Sequence, residues 1–300
     1  MKQPVSLKIP GSTSNLGPGF DSIGLAINRY LHVKFEPSSE WAFYYIGFQE
    51  TFPQGKENLV YKVIESIAVS VQKTPEPQRV TMTSELPLER GLGSSAAAIV
   101  AGVEIADITM GLALTSKEKV RYAAEFEGHA DNVAASIYGG LVIASGLGDL
   151  DSVVQNVENV EFVALIPERK LKTTDSRSVL PKSLTFEEAV KASSVANVFT
   201  AAAVSNNWQQ AGALMNEDLF HQPYRKHFVP DLERVQRLAV DWGAYGAALS
   251  GAGPTLLIFT PIGTAKKLKA VMEANLTGYD CVELFPTNTG VQRMNDVLQR

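Results

Sequence analysis

The chain of 300 residues is 45% hydrophobic, enough to bury a substantial core in one large domain or two modest ones, and two are expected. Its 27 basic and 32 acidic residues leave a formal net charge of −5, which gives no electrostatic footing for nucleic acid; a polyphosphate ligand would have to be held by backbone dipoles and a metal. A single cysteine, Cys281, excludes an intramolecular disulfide and a Cys-based zinc site, and no apolar run reaches the roughly 18 residues of a membrane span. The opening Met1-Lys2-Gln3-Pro4-Val5-Ser6 lacks the apolar core of a signal peptide, so a cytoplasmic protein is expected.

Val5 to Pro10 alternates as a half-buried strand does and leads into a polar, Gly/Pro-dense stretch, Gly11 to Asp21, read as a loop. The apolar run Ile23 to Ile27 follows at once, so this loop lies between buried elements. Leu31, Val33 and Phe35 alternate again, and Trp41 to Ile46 is rich in strand formers; both stretches read as core without chemistry. Val60, Val63, Ile64, Ile67 and Val71 recur at helical spacing and predict a helix from Asn58 to Val71.

Next comes Val80 to Ser84, a strand by its alternation, then Pro87-Leu88-Glu89-Arg90-Gly91-Leu92-Gly93-Ser94-Ser95-Ala96-Ala97-Ala98, then a helix to about Met110. The order is strand, glycine turn, helix. Gly91 and Gly93 let a ligand approach the backbone, and Ser94 and Ser95 open helices well, so free N–H groups and the positive dipole end face one point where an anion, most often a phosphate, is stabilised. A Walker A loop is excluded because no lysine follows either glycine. The stretch fits the G-x-G-x-x-A dinucleotide pattern, but the required second strand ending in an acidic residue is missing: Asp107 sits inside the continuing helix and Ser116 to Phe126 reads as another.

After that helix, Glu127, His129, Asp131 and Asn132 surround Gly128 just before the apolar Val133-Ala134-Ala135. Single carboxylates are usually solvated, whereas four polar groups packed against an apolar run point to a site. Asp131 suits either a general base or the cap of the following helix. His129 has no H-E-x-x-H context among the four histidines, His32, His129, His221 and His227. Tyr138 to Gly146 reads as a turn and strand and Val160 to Ile166 as a strand, with a polar hairpin, Gly148 to Glu158, between them. The domain boundary is expected there, giving residues 1–155 and 156–300. Leu171 to Pro181 is a polar loop containing Arg177, and Phe220 to Arg225 supplies a second arginine. Tyr245 to Thr255 is a loop of small residues before the strand Leu256 to Phe259; Ala265 to Asn275 is an amphipathic helix and Cys281 to Phe285 a strand.

Pro87 to Ala97 resembles the ATP-binding loop of the GHMP kinases, small-molecule kinases named after galacto-, homoserine, mevalonate and phosphomevalonate kinases, and Tyr245 to Thr255 resembles that family's third motif. Asn15 with Leu16 to Asp21, Glu127 to Asn132, Thr173 to Pro181 and Phe220 to Arg225 resemble segments of homoserine kinases. The resemblance implies an α+β protein of the two-domain GHMP kinase fold, with an N-terminal domain like the second domain of ribosomal protein S5, a ferredoxin-like C-terminal domain and the active site between them. It implies a homoserine kinase that uses ATP and Mg²⁺ to phosphorylate L-homoserine on the way to threonine, as a homodimer. By the same resemblance Pro87, Leu88, Glu89, Arg90, Gly91, Leu92, Gly93, Ser94, Ser95, Ala96 and Ala97 bind ATP, and Asn58 lies beside the nucleotide. Ser95 and Glu127 hold Mg²⁺ and, with Asn132, act in catalysis, while Asn15, Asp21, His129, Arg177 and Arg225 bind substrate. An Asp for an ammonium and two Arg forks for a carboxylate favour an α-amino acid over mevalonate. The alternatives are a GHMP kinase for another small alcohol and a non-catalytic ligand sensor, against which the intact Ser95 and Glu127 argue.

Overall fold

Alternating apolar residues build two sheets that share one core between them. The computed structural model describes residues 3–48, 50–145 and 151–294. Its first half runs β1 (Val5–Asn15), β2 (Gly19–Pro37), β3 (Ala42–Ile46), α1 (Leu59–Ser70), β4 (Gln78–Ser84), α2 (Ser94–Met110), α3 (Ser116–Glu127), α4 (Asp131–Tyr138), β5 (Leu141–Ala144) and β6 (Ser152–Gln155). The second half runs β7 (Glu161–Pro167), α5 (Thr173–Ser178), α6 (Phe186–Val204), α7 (Trp208–Leu214), α8 (Gln222–Arg225), α9 (Leu232–Asp241), β8 (Gly246–Leu249), β9 (Leu256–Thr260), α10 (Ala265–Asn275), β10 (Tyr279–Leu284) and β11 (Gln292–Met294).

The first sheet has the order β11-β1-β2-β4-β3, with β5 and β6 extending from β2, and β3–β4 is its one parallel pair among the described strands. The second, wholly antiparallel, has the order β10-β7-β9-β8, the fourth, first, third and second strands of that half, as in a ferredoxin-like domain. β11 returns to pair with β1, so the last described strand lies in the first sheet.

Helices α1 to α4 cover the first sheet, with Val60, Ile64, Val100 and Val133 packed against Leu7, Ile9, Val33 and Met82. α2 is buried nearly all round; its run of small and apolar residues is interrupted by Glu104 and Asp107, which are buried and paired with Lys119. In the second sheet the period of two sorts the side chains. Phe162, Ala164, Leu257 and Phe259 join Ile23, Leu25 and Ile27 of β2 and Trp208 of α7 in the shared core, while Val163, Leu165, Leu256 and Ile258 face Val235 of α9 and Leu268 of α10. Each large side chain so buried contributes about 1.5–3 kcal/mol, so the shared cluster fixes how the two sheets meet.

Three stretches read as loops are ordered differently; in one, Tyr245 to Thr255, residues Gly246–Leu249 form β8 because they pair with β9. β1 continues through Asn15 with bulges after Pro10 and Ser14, leaving residues 16–18 as the turn, because Ser12, Thr13 and Ser14 are buried and their hydroxyls find distant partners. The loop from Leu171 to Pro181 contains the short helix α5. Of the expected polar hairpin, residues 148–150 lie outside the described residues, and Ser152–Gln155 forms β6, paired with β5.

Candidate active site

Three segments distant in sequence meet at the N-terminus of α2. Gly93, in the left-handed region at φ 74°, occupies the N-cap position, and a Cβ there would come within 2.7 Å of the Ser12 nitrogen. A Cβ on Gly91, also at φ 74°, would collide with the Ser250 carbonyl. Ser250 Oγ donates to the Gly91 carbonyl (2.5 Å) and shares a hydrogen bond with Thr13 Oγ1 (2.8 Å), clamping the glycine turn between β1 and the β8–β9 loop. The N–H groups of the first turn of α2 are unused within the helix, and Ser94, Ser95 and Ala96 of that turn line a cavity of about 710 Å³, a size suited to a small-molecule ligand.

At one end of the cavity Tyr45 stacks on Phe52 at 4.2 Å, and Phe48 meets both edge-on. Asn58 caps α1 by accepting from the Val60 N–H (3.0 Å), while its Nδ2 donates to Tyr45 Oη (2.5 Å) and the Pro53 carbonyl (2.7 Å). Nearby, Lys170 pairs with Glu50 at 2.5 Å. This aromatic corner escaped the sequence reading, which took Tyr45 as core; Phe48 and Phe52 lie beyond the end of β3, where strand alternation no longer accounts for them.

The middle of the cavity is made where α3 gives way to α4. Gly128, at φ 91°, ends α3 and turns the chain where Glu127 lines the same cavity as Ser95. Burial pushes the Glu127 carboxyl above its ordinary range, against the opposing pull of His129 and Ser95. His129 Nδ1 lies 2.6 Å from Asp131 Oδ1, which also accepts from the Asn132 N–H at 2.7 Å, so Asp131 opens α4 and holds the imidazole together. Burial alone would lower His129; the hydrogen bond and charge of Asp131, with the charge of Glu127, outweigh it and raise the imidazole above its ordinary value. For Asp131 burial works to raise the carboxyl, and the bonds from His129 and Asn132 overcome it, leaving Asp131 lowered. Asn132 Nδ2 donates to Ser14 Oγ and its Oδ1 accepts from Ser12 Oγ, both at 2.9 Å.

The other end is charged on both sides. Asn15 and Asp21 both take left-handed backbone (φ 70° and 54°), which Asn and Asp tolerate best among non-glycine residues. Asn15 Oδ1 accepts from the Asp21 N–H (3.0 Å), and its Nδ2 donates to the Gly251 carbonyl (2.9 Å). Arg177 grips Asp21 with two hydrogen bonds, 2.9 and 2.6 Å. Arg225 is buried, donates to the Ser176 and Gly251 carbonyls, and shares the Phe20 ring with Arg177, the two guanidinium carbons lying 5.3 and 5.5 Å from its centroid. Burial and the like charge of Arg177 bring Arg225 down to about 10, still a cation at neutral pH.

Asn15, Asp21, Glu127, His129, Asn132, Arg177 and Arg225 therefore line one cavity, as do Leu88, Glu89, Arg90, Gly91, Gly93, Ser94, Ser95 and Ala96 of the glycine turn. Pro87, Leu92 and Ala97 do not; Leu92 and Ala97 are buried in the core instead. The guanidinium of Arg90 is engaged with three carbonyls, those of Leu88 (3.1 Å), Pro167 (2.9 Å) and Glu168 (2.6 Å), fastening the turn to the end of β7. Among the described residues no group of three or more His, Cys, Asp or Glu is arranged to hold a metal ion. Ser95 and Glu127 both line the cavity and are oxygen donors of the kind that suits Mg²⁺, a hard cation that takes one or two protein oxygens and completes its shell with phosphate oxygens and water.

Residues 58–140 match the family model "GHMP kinases N terminal domain" and residues 199–277 the model "GHMP kinases C terminal". The chain is 45% identical over 295 residues to a homoserine kinase of Halalkalibacterium halodurans, covering 97% of this chain and 96% of that one. It is 47% identical over 268 residues to a homoserine kinase of Bacillus velezensis, covering 88% and 86% of the two chains. The crystal structure of a homoserine kinase from Cytophaga hutchinsonii superposes with a TM-score of 0.85 at 27% identity, covering 98% of each chain. A mevalonate kinase structure shares the fold at 16% identity, with a TM-score of 0.70 and 96% and 100% coverage. With its mixed α/β two-domain GHMP kinase fold and a cavity assembled from that family's motifs, this chain belongs to the homoserine kinase family of GHMP kinases.

Proposed function

We propose that the protein transfers the γ-phosphoryl group of ATP to the side-chain hydroxyl of L-homoserine, giving O-phospho-L-homoserine and ADP. The observation that carries this reading is the pairing, in one cavity, of an anion-seeking helix N-terminus with a substrate end of one carboxylate and two guanidinium groups. In this reading the backbone from Gly91 to Ser95 cradles the phosphates, and the corner of Tyr45, Phe48 and Phe52 takes the base. Ser95 and Glu127 would hold Mg²⁺, which when bound neutralises charge on the phosphate oxygens.

The remaining work falls to the chain's own side chains. Asp21 receives the substrate ammonium, and Arg177 and Arg225 receive its carboxylate, Arg177 exchanging Asp21 for the incoming group. Asn15 holds Asp21 and the Gly251 carbonyl in place beside the substrate. Asn132, anchored to β1 through Ser12 and Ser14, orients the hydroxyl, and His129 is held beside it by Asp131. Asp131 is engaged with His129 and the Asn132 N–H, so the reading assigns it no role as base; the hydroxyl proton passes to the transferred phosphoryl group. Positioning and charge neutralisation are the main requirements of phosphoryl transfer, so a strong base is dispensable.

The test is a coupled ADP-release assay with Mg-ATP against L-homoserine, L-threonine, mevalonate, choline and galactose. Turnover confined to homoserine is the expected result; preference for another alcohol would overturn the amino-acid clamp. The same reading places a homodimer in the cytoplasm, and a native mass of 32.5 kDa in solution, that of one chain, would contradict the dimer.

A further inference from the structure

We infer that His221, which does not line the cavity, is a positioning residue for substrate binding: it holds the Arg225 guanidinium and the turn that carries Phe20 and Asp21 in one arrangement. The inference rests on the reading in which Arg225 receives the substrate carboxylate.

His221 is completely buried at the start of α8, and each part of its ring has a defined partner. Nδ1 lies 3.1 Å from Arg225 Nη1. A guanidinium only donates, so Nδ1 must accept. Nε2 lies 3.0 Å from the Gly17 carbonyl and 3.3 Å from Asp218 Oδ2, both acceptors, so Nε2 must carry the proton. The surroundings thus select one neutral tautomer, and burial agrees by taking the imidazole down to about 4. The face of the ring stacks on Phe20 at 5.3 Å, and Phe20 is the platform shared by Arg177 and Arg225.

This one side chain therefore joins the second half of the molecule to the β1–β2 turn of the first. Gly17 is itself pressed against Met215, where a Cβ would come within 2.7 Å of the carbonyl oxygen, so the turn has little room to adjust if its tie to His221 is lost. Asp218 fixes the approach of His221 by accepting from the Phe220 N–H (2.7 Å) and the Gln222 N–H (2.7 Å). Arg225 without His221 keeps its two carbonyl acceptors and loses the acceptor that sets the aim of Nη1. The consequence is specific: His221 acts on the homoserine end of the cavity and leaves the nucleotide end alone.

Two amide replacements separate the functions of the ring. His221→Asn puts an amide oxygen near the place of Nδ1 and keeps the acceptor for Arg225; His221→Gln reaches Gly17 and loses that acceptor. Steady-state KM and kcat, with L-homoserine and ATP varied separately, are measured for both, for Arg225→Ala, and for the His221→Gln/Arg225→Ala pair. The expected result is a homoserine KM raised about 10- to 100-fold in His221→Gln, the range for a lost hydrogen bond to a charged group. The ATP KM stays within about twofold, most of the homoserine KM is recovered in His221→Asn, and the pair is no worse than Arg225→Ala alone. Equal rises in both KM values, an Asn variant as poor as the Gln variant, or multiplied effects in the pair would overturn the inference by making His221 a general structural residue. Arg225→Ala with an unchanged homoserine KM would instead remove the carboxylate reading, and this inference with it.

Discussion

The middle of the catalytic cavity and its charged end are built on opposite electrostatic plans. Around Glu127, a half-buried carboxylate stands in no ion pair among the described residues, and desolvation disfavours its charge. Where Asp21 and Arg177 meet, the charges already neutralise each other through two hydrogen bonds. In the proposed reading the first region is the one that takes a cation. The second is complete and must exchange its internal partners for a ligand of matching charges, which is what a zwitterionic amino acid offers.

The largest expected effect separates Glu127 from its neighbour. Glu127→Gln should lower kcat by about a thousandfold or more, the scale of losing a charge-positioning group at a phosphoryl-transfer site. Asp131→Asn should lose far less activity, and comparable losses would break the comparison. Stability should move the other way. Because burial raises the folded-state value of Glu127, the native protein loses stability as pH climbs from the ordinary glutamate value of about 4.3 through the higher folded one, and the deficit persists above it. Glu127→Gln should therefore melt above the parent at pH 8, with the gap closing towards pH 4 in thermal denaturation. Asp131 is lowered in the fold, so its contribution is present above the ordinary aspartate value and is lost as pH falls through the folded one.

At the paired end the expected effect is on binding. Asp21→Asn should raise the homoserine KM by about 100-fold, as loss of a charged partner for the ammonium requires, with the ATP KM unchanged. The melting temperature should barely move. The Asp21 and Arg177 side chains are 34% and 35% exposed, so solvent screening holds the stabilisation by their ion pair to about 1 kcal/mol or less. A Tm loss as large as that of a core variant would show that the pair serves the fold rather than exchange with substrate.

A smaller effect comes from His129. Its folded value is raised, so the stability it contributes is fully present below the ordinary histidine value of about 6.5 and is lost as pH rises through the folded one. His129→Asn should flatten the stability profile across that window. Melts of the two proteins between pH 6 and 8 that stay parallel would contradict the assignment.

How far these features can be seen in the sequence depends on how local their causes are. The glycine turn and α2 follow from backbone needs satisfied within a few residues, and α1, α3 and α10 from apolar spacing. The strand character of Ser12 to Ser14 was hidden because the hydroxyls that make it possible pair with Asn132 and Ser250, more than a hundred residues away. The α6 helix went unread because its early turns are exposed on all sides, Phe186 and Val190 included, leaving no single apolar stripe. Asp21 and Arg177 were each assigned to substrate by resemblance to homoserine kinases; their grip on each other spans 156 positions and carries no local signal. His221 was visible as one of four histidines and as part of the Phe220 to Arg225 segment, without a role, since its significance lies in which groups its two ring nitrogens face.

The smallest effect concerns what the phosphate end does without. Of the cations that line the cavity near it, Lys170 is engaged with Glu50 and Arg90 with three backbone carbonyls. If the phosphates depend on helix N–H groups and the Ser95–Glu127 pair, removing Arg90 loosens the turn without removing a phosphate ligand. Arg90→Ala should then leave the ATP KM within about threefold of the parent and lower stability by about 1–2 kcal/mol, the net worth of hydrogen bonds made by a partly exposed charged group. An ATP KM raised a hundredfold with stability intact would mean that the guanidinium leaves its carbonyls to meet the nucleotide. The contrast between an end completed by backbone dipoles and an end completed by side-chain charges would then have to be redrawn.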